Sequence, residues 1–125
     1  MPNPIFTPDA PKPIGPYSQA LGCANLIFIS GQIPLDPKSG EIIGNSTQEQ
    51  TVKVLDNIKA ILNSQGLDFS SLVKTTVFLR QMEDFAQFNK IYEMMLEGAA
   101  PARSVVEVCR LPKDVLIEIE AVACR

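Results

Sequence analysis

The sequence predicts an α+β fold of order β-β-α-β-α-β-β, one mixed sheet with two helices on a single face. Three observations predict it. Helical periodicity occurs in two stretches, from Ser46 to Gly66 and from Asp84 to Gly98. Short aliphatic or alternating runs bounded by turn residues fill most of the remainder. Each helix lies between two such runs, so each is a crossover, and two right-handed crossovers in the same sense leave both helices on one side of the sheet.

The first sixteen residues carry Pro2, Pro4, Pro8, Pro11, Pro13 and Pro16, which forbids a helix or a central strand. An extended arm is expected, with a short edge strand around Ile5 to Thr7. Ile14-Gly15-Pro16 turns the chain into a hairpin of Tyr17 to Cys23 and Leu26 to Gly31, bent at Ala24-Asn25. Leu26-Ile27-Phe28-Ile29 is a continuous apolar run, as in a strand covered on both faces. Gly31, at its end, is either a simple bend or a place where the backbone approaches something closely.

Residues 34–45 have turn chemistry. Ser46-Thr47-Gln48-Glu49 is a capping-box pattern, and Val54, Leu55, Ile58, Ile61 and Leu62 share one face of the helix that follows. Gly66 stops it. In the next strand, Leu72 to Arg80, alternation places Val73, Thr75, Val77 and Leu79 on one side. Asp84 is placed to cap the second helix, whose apolar stripe is Phe85, Phe88, Tyr92, Met95 and Leu96. Two last strands follow, turning at Leu111 to Asp114. Along the final one, Val115, Ile117, Ile119, Ala121 and Ala123 face one way; Leu116 and Val122 face the other beside Glu118 and Glu120. No helix remains to cover that second face, so self-association is expected, with clefts at the seams.

At 125 residues, 46% hydrophobic and 20% charged, residues 1–125 are expected to form a single domain. A net charge of −3 and scattered basic residues argue against nucleic acid as a partner. No apolar run is long enough to span a bilayer, and Met1-Pro2-Asn3-Pro4 lacks the flank of a signal peptide; a cytoplasmic location is expected. Cys23, Cys109 and Cys124 have no ligand spacing and are expected to be buried, inert thiols, and no metal is expected.

There is no histidine, which removes the commonest general base and any Ser-His or Cys-His nucleophile. Carboxylates, tyrosine, lysine, cysteine or bound water must carry any acid–base chemistry. Arg103, at a strand start after Pro101, could bind a carboxylate bidentately or form a surface ion pair. Glu120, on what the sequence places as the neighbouring strand, could carry protons if buried; Glu118 competes for that role, and Glu107 less strongly. Tyr17 and Asn89 could face a ligand or simply pack and face solvent. No phosphate-binding loop or dinucleotide fingerprint occurs.

Six segments taken together carry a resemblance: Ile14 to Ala20, Ser30 to Pro34, Lys74 to Phe78, Phe88 to Tyr92, Pro101 to Ser104, and Leu111 to Lys113 through Ile117 to Ala121. In this order they resemble the Rid family of reactive-intermediate (enamine/imine) deaminases, over nearly the whole chain. The resemblance implies a chorismate-mutase-like homotrimer with a central barrel and three clefts between subunits. It implies cofactor-free hydrolysis of 2-imino acids such as 2-iminobutanoate and 2-iminopropanoate to 2-keto acids and ammonia. By motif, Arg103 would bind the carboxylate with main-chain help from Ser104 and Val105. Glu120 would activate water, and Tyr17, Ser30, Gly31 and Asn89 would line the cleft. Val105 stands where some relatives have cysteine, and Ala100 where many have an aromatic residue. A non-catalytic trimeric ligand-binding or regulatory protein is the alternative; it would need Arg103 but not Glu120.

Overall fold

In the computed structural model, which describes all 125 residues, six strands form one sheet in the order β1-β2-β3-β6-β4-β5. They are β1 (Asn3–Ile5), β2 (Ala20–Cys23), β3 (Leu26–Gln32), β4 (Leu72–Leu79), β5 (Ala102–Glu107) and β6 (Ile117–Cys124). Helix α1 (Thr47–Ser64) links β3 to β4, and α2 (Phe85–Leu96) links β4 to β5. β4 and β5 are parallel; β6 runs antiparallel to both its neighbours, β3 and β4.

The helices form where the sequence says they should. Ser46 Oγ accepts a 3.1 Å hydrogen bond from the Glu49 N–H, and Glu49 Oε1 accepts 3.0 Å from the Asn45 N–H. This cap contributes about 1 kcal/mol, with the return bond displaced by one residue from the standard box. Val54, Leu55, Ile58, Ile61 and Leu62 are all fully buried, each contributing roughly 1.5–3 kcal/mol. They join one core with Phe88, Leu96, Ile27, Val77, Leu79 and the inner row Ile117, Ile119, Ala121 and Ala123. Both helices therefore cover the same face.

Several local expectations are corrected. The edge strand is Asn3–Ile5, not Ile5 to Thr7: Thr7 leaves the ladder to meet Gln19. β2 begins at Ala20 rather than Tyr17, because Tyr17 is held in a tight turn with its N–H bonded to the Gly15 carbonyl at 2.9 Å. Within one copy β3 is covered on one face only, Leu26 and Phe28 being 38% and 47% exposed on the face without helices. A register shift between Leu72 and Lys74 buries Leu72 and exposes Val73. Asp84 sits at the N-cap of α2 but makes no cap bond; its carboxylate is taken by the Thr47 hydroxyl at 2.6 Å, which ties the two helices together.

The final two strands are not neighbours. β4 lies between β5 and β6. The α2 crossover lays β5 parallel to β4 at the sheet edge, and β6 returns to the centre, where its aliphatic row is buried. The cysteine expectation also fails: Cys23, Cys109 and Cys124 are free and exposed. Cys23 and Cys124 end strands on the outward side of the alternation, and Cys109 sits in the β5–β6 connection.

The face opposite the helices is open and partly apolar, as the sequence implies. Leu21, Phe28, Val122 and Lys74 stand side by side across β2, β3, β6 and β4.

Candidate active site

A bulge in β3 builds the candidate site. Ile29 pairs with Ala121 and Gln32 with Ile119, so Ser30 and Gly31 together oppose the single residue Glu120. Such two-against-one pairing bends a strand and re-aims its side chains. The Ser30 N–H and hydroxyl donate to the Gln19 and Ser18 carbonyls at 2.9 and 2.6 Å, fastening the bulge to the end of the proline arm. The arm is itself held by Gln19, which is 1% exposed. Its Oε1 accepts from the Thr7 N–H at 2.8 Å, and its Nε2 donates to the carbonyls of Thr7, Ala10 and Pro11 at 3.0, 3.2 and 2.9 Å.

Arm, bulge and β6 enclose a cleft of about 440 Å³ lined by Ile14, Tyr17, Ser30, Gly31, Ile33, Pro112, Glu118 and Glu120. Four of the expected site residues, Tyr17, Ser30, Gly31 and Glu120, are thus brought together. Glu118 joins them. It points the same way as Glu120 because the two are separated by one residue on a strand. Gly31 lies so close to the Glu118 carboxylate that any Cβ at position 31 would overlap it. This decides between the two readings of Gly31: it is a close approach.

The sequence leaves Glu118 and Glu120 competing for one role. Within one copy their environments differ: Glu120 is exposed and Glu118 half-buried. Desolvation, with the Glu120 charge adding to it, pushes the Glu118 carboxyl above the ordinary glutamate range.

Arg103 is elsewhere. It is in register with Thr75, a fully buried residue facing the helices, whereas Glu120 is in register with Thr76 on the open face. The sheet stands between them. Arg103 Nη1 donates to Asn89 Oδ1 at 2.8 Å. Its guanidinium carbon lies 4.9, 5.6 and 5.7 Å from the ring centres of Tyr92, Phe88 and Phe85. The apolar stripe of α2 is core on one side and a cation-binding cage on the other, each ring within the reach of a cation–π attraction. Tyr92 is anchored by a 2.7 Å hydrogen bond with Thr75 Oγ1. Burial raises its hydroxyl pKa against smaller opposing effects of Thr75 and Arg103. Arg103 has no carboxylate partner in the chain; the ion pair present is Arg110–Asp114. Its remaining donors are free for a ligand.

Ser104 faces the open side, where its hydroxyl accepts from Lys74 Nζ at 3.1 Å. Val105 turns inward against the core. β5 is an edge strand, so its outer main-chain groups have no partner within the chain.

The chain therefore combines a two-carboxylate cleft at a strand bulge with a caged arginine at the far edge of the same sheet. That is the class the fold and site define: a small mixed-sheet protein whose caged arginine and paired carboxylates are carried on opposite sides of one sheet. The family model described as endoribonuclease L-PSP matches residues 7–125, and the chain belongs to this family. A RutC family protein of Pyrococcus horikoshii is 56% identical over 119 residues, 95% of this chain and 94% of the relative. The 2-iminobutanoate/2-iminopropanoate deaminase of Escherichia coli K12 is 49% identical over 124 residues, 97% and 96% of the two chains. The crystal structure of YyfA of Yersinia pestis, described as a protein of the Rid family, superposes with a TM-score of 0.96 at 42% identity over all of both chains. Escherichia coli TdcF with bound serine matches with a TM-score of 0.93 at 43% identity, covering 98% of each chain. The resemblance to the Rid family and the α+β fold are borne out.

Proposed function

We propose that this chain hydrolyses small 2-imino acids, with 2-iminobutanoate and 2-iminopropanoate as substrates, to the 2-keto acid and ammonia. The reaction occurs in clefts between copies of the chain in a homotrimer. Arg103, oriented by Asn89 and the aromatic cage, takes the substrate carboxylate, with main-chain groups at Ser104 and Val105 on the open edge of β5 assisting. Glu120 takes a proton from the attacking water. Tyr17, Ser30 and Gly31 form the wall. An imine carbon is already electrophilic, so orientation and proton placement supply most of the catalysis. No step needs a cofactor, and a metabolic role in the cytoplasm fits a substrate that is short-lived in water.

The observation that carries this reading is the carboxylate cleft at the Ser30–Gly31 bulge, in a chain 49% identical to a protein named for this activity. The geometry supports a division between subunits. Arg103 and Glu120 face opposite sides of one sheet, so a small molecule touching both must receive them from two copies. The apolar row on the open face supplies a surface on which copies can meet.

The test generates 2-iminobutanoate in situ with a threonine dehydratase and follows imine loss by trapping or keto-acid formation. Acceleration over buffer that is lost in Arg103→Ala and Glu120→Gln is expected. A wild-type rate equal to buffer, or an Arg103→Ala rate equal to wild type, defeats the reading.

A further inference from the structure

Resting on that reaction, the geometry points to a second acid–base group: Glu118 carries the proton that the imine nitrogen takes up, while Glu120 receives one from water.

Glu118 and Glu120 line one cleft from the same face of β6. Two residues apart on a strand, their α-carbons are about 7 Å apart, a separation that accommodates a water and an imine nitrogen side by side. Their surroundings differ. Glu120 is exposed and faces the bulge; Glu118 is half-buried against the Gly31 backbone. Only a residue without a side chain at position 31 lets the Glu118 carboxylate lie there. Within the chain it makes neither an ion pair nor a hydrogen bond.

The charged and titratable groups around it are few. Its own strand contributes Glu120 and the arm contributes Tyr17. The bulge contributes Ser30 and Gly31, β4 sets Phe78 in register with it, and the β5–β6 turn contributes Pro112. No lysine or arginine lines the cleft. In the assembled site the neighbouring copy's Arg103 is matched by the substrate's own carboxylate. A desolvated carboxyl beside a second carboxylate holds its proton.

The proton balance closes. The Glu120 carboxylate accepts a proton from water as the water oxygen bonds to the imine carbon. The C=N π pair moves to nitrogen, which takes the Glu118 proton, giving a carbinolamine. In its collapse the carbinolamine hydroxyl returns a proton to Glu118. The C–N bond breaks, and the departing nitrogen takes the proton held by Glu120. The products are 2-keto acid and ammonia, and both glutamates are restored.

The experiment compares wild type and Glu118→Gln in the coupled imine assay from pH 6 to pH 9, alongside a carboxyl-carbon NMR titration of wild type. Wild-type turnover is expected to fall as pH rises and Glu118 ionises. Glu118→Gln is expected to be about 100-fold slower where wild-type Glu118 holds its proton, with the deficit shrinking as pH rises and the wild type loses that proton. In the titration Glu118 is expected to release its proton above the ordinary glutamate range. A Glu118→Gln rate equal to wild type, a deficit that does not change with pH, or Glu118 titrating within the ordinary glutamate range overturns the assignment. If Glu118→Gln fails to fold, the titration decides alone. Wild type inert toward imine would defeat the function reading, and the Glu118 titration would still decide whether that carboxyl holds its proton above the ordinary glutamate range.

Discussion

The Gly31 α-carbon abuts the Glu118 carboxylate, and a methyl group there would stand 2.9 Å from Glu118 Cδ. The obstacle is the outer part of a side chain rather than backbone, so Gly31→Ala should fold, at a cost of about 1–2 kcal/mol for the local overlap. Displacing Glu118 into the cleft should lower kcat/KM for 2-iminobutanoate by at least about tenfold. Thermal denaturation beside the coupled assay checks both, and full activity in Gly31→Ala would remove the steric role assigned to this glycine.

Arg103 and Glu120 lie on opposite faces of the sheet, which makes complementation possible. Arg103→Ala and Glu120→Gln should each be inactive alone. When co-expressed in equal amounts and mixed at random, about one cleft in four should combine an intact Arg103 from one copy with an intact Glu120 from another. Activity recovered near a quarter of wild type supports shared clefts. No recovery in verified mixed oligomers would place both groups in one chain's site.

Phe28, 47% exposed at the middle of the open face, sits between Leu21 and Val122. Burying a carboxylate at such a point without a partner costs several kcal/mol. Phe28→Asp should therefore yield a folded monomer without imine deaminase activity. Light scattering coupled to size exclusion measures the first and the coupled assay the second; a Phe28→Asp protein that still forms trimers would contradict the interface assignment.

The Tyr92 hydroxyl, bonded to Thr75, should make stability fall at alkaline pH. Its folded pKa is raised, so above about pH 10 the unfolded chain ionises first and gains free energy relative to the fold. Stability is intact below that point and declines as pH rises through the folded value. Tyr92→Phe should lose roughly 1–2 kcal/mol at pH 7, because the Thr75 hydroxyl is left unpaired. It should also show a shallower alkaline decline. Urea denaturation at pH 7 and pH 10.5 measures both effects, and parallel pH slopes for the two proteins would show that Tyr92 is not the titrating group.

Much of the fold is legible in the sequence because its signals are local. The Ser46–Glu49 cap, the α1 stripe from Val54 to Leu62 and the Gly66 stop each act within a few residues. Strand adjacency is not legible in the same way. β5 and β6 are close in sequence and look like neighbours, but pairing is set by burial. The four inner residues of β6 are 0–4% exposed and demand a central place, while β5, with no fully buried residue, suits an edge. Irregularities are equally hidden: the register shift beside Val73 and the Ser30–Gly31 bulge depend on a partner strand that the sequence does not name. At the site, residue chemistry leaves Glu118 and Glu120 level, and only the motif resemblance chooses between them. The structure separates them by environment. The aromatic cage escapes sequence reasoning because Phe85, Phe88 and Tyr92 have the spacing of an ordinary core stripe, and nothing in that spacing announces a guanidinium.

The proline arm has a kinetic consequence. Its prolines restrict the unfolded chain before folding begins, and the single carboxamide of Gln19 satisfies its Thr7, Ala10 and Pro11 carbonyls. Ile14 and Tyr17 at its end are thus set in place by a rigid strap, not by ligand. Ligand capture should then need no lid closure: association should be a single step, linear in ligand concentration, with no saturating isomerisation phase in stopped flow.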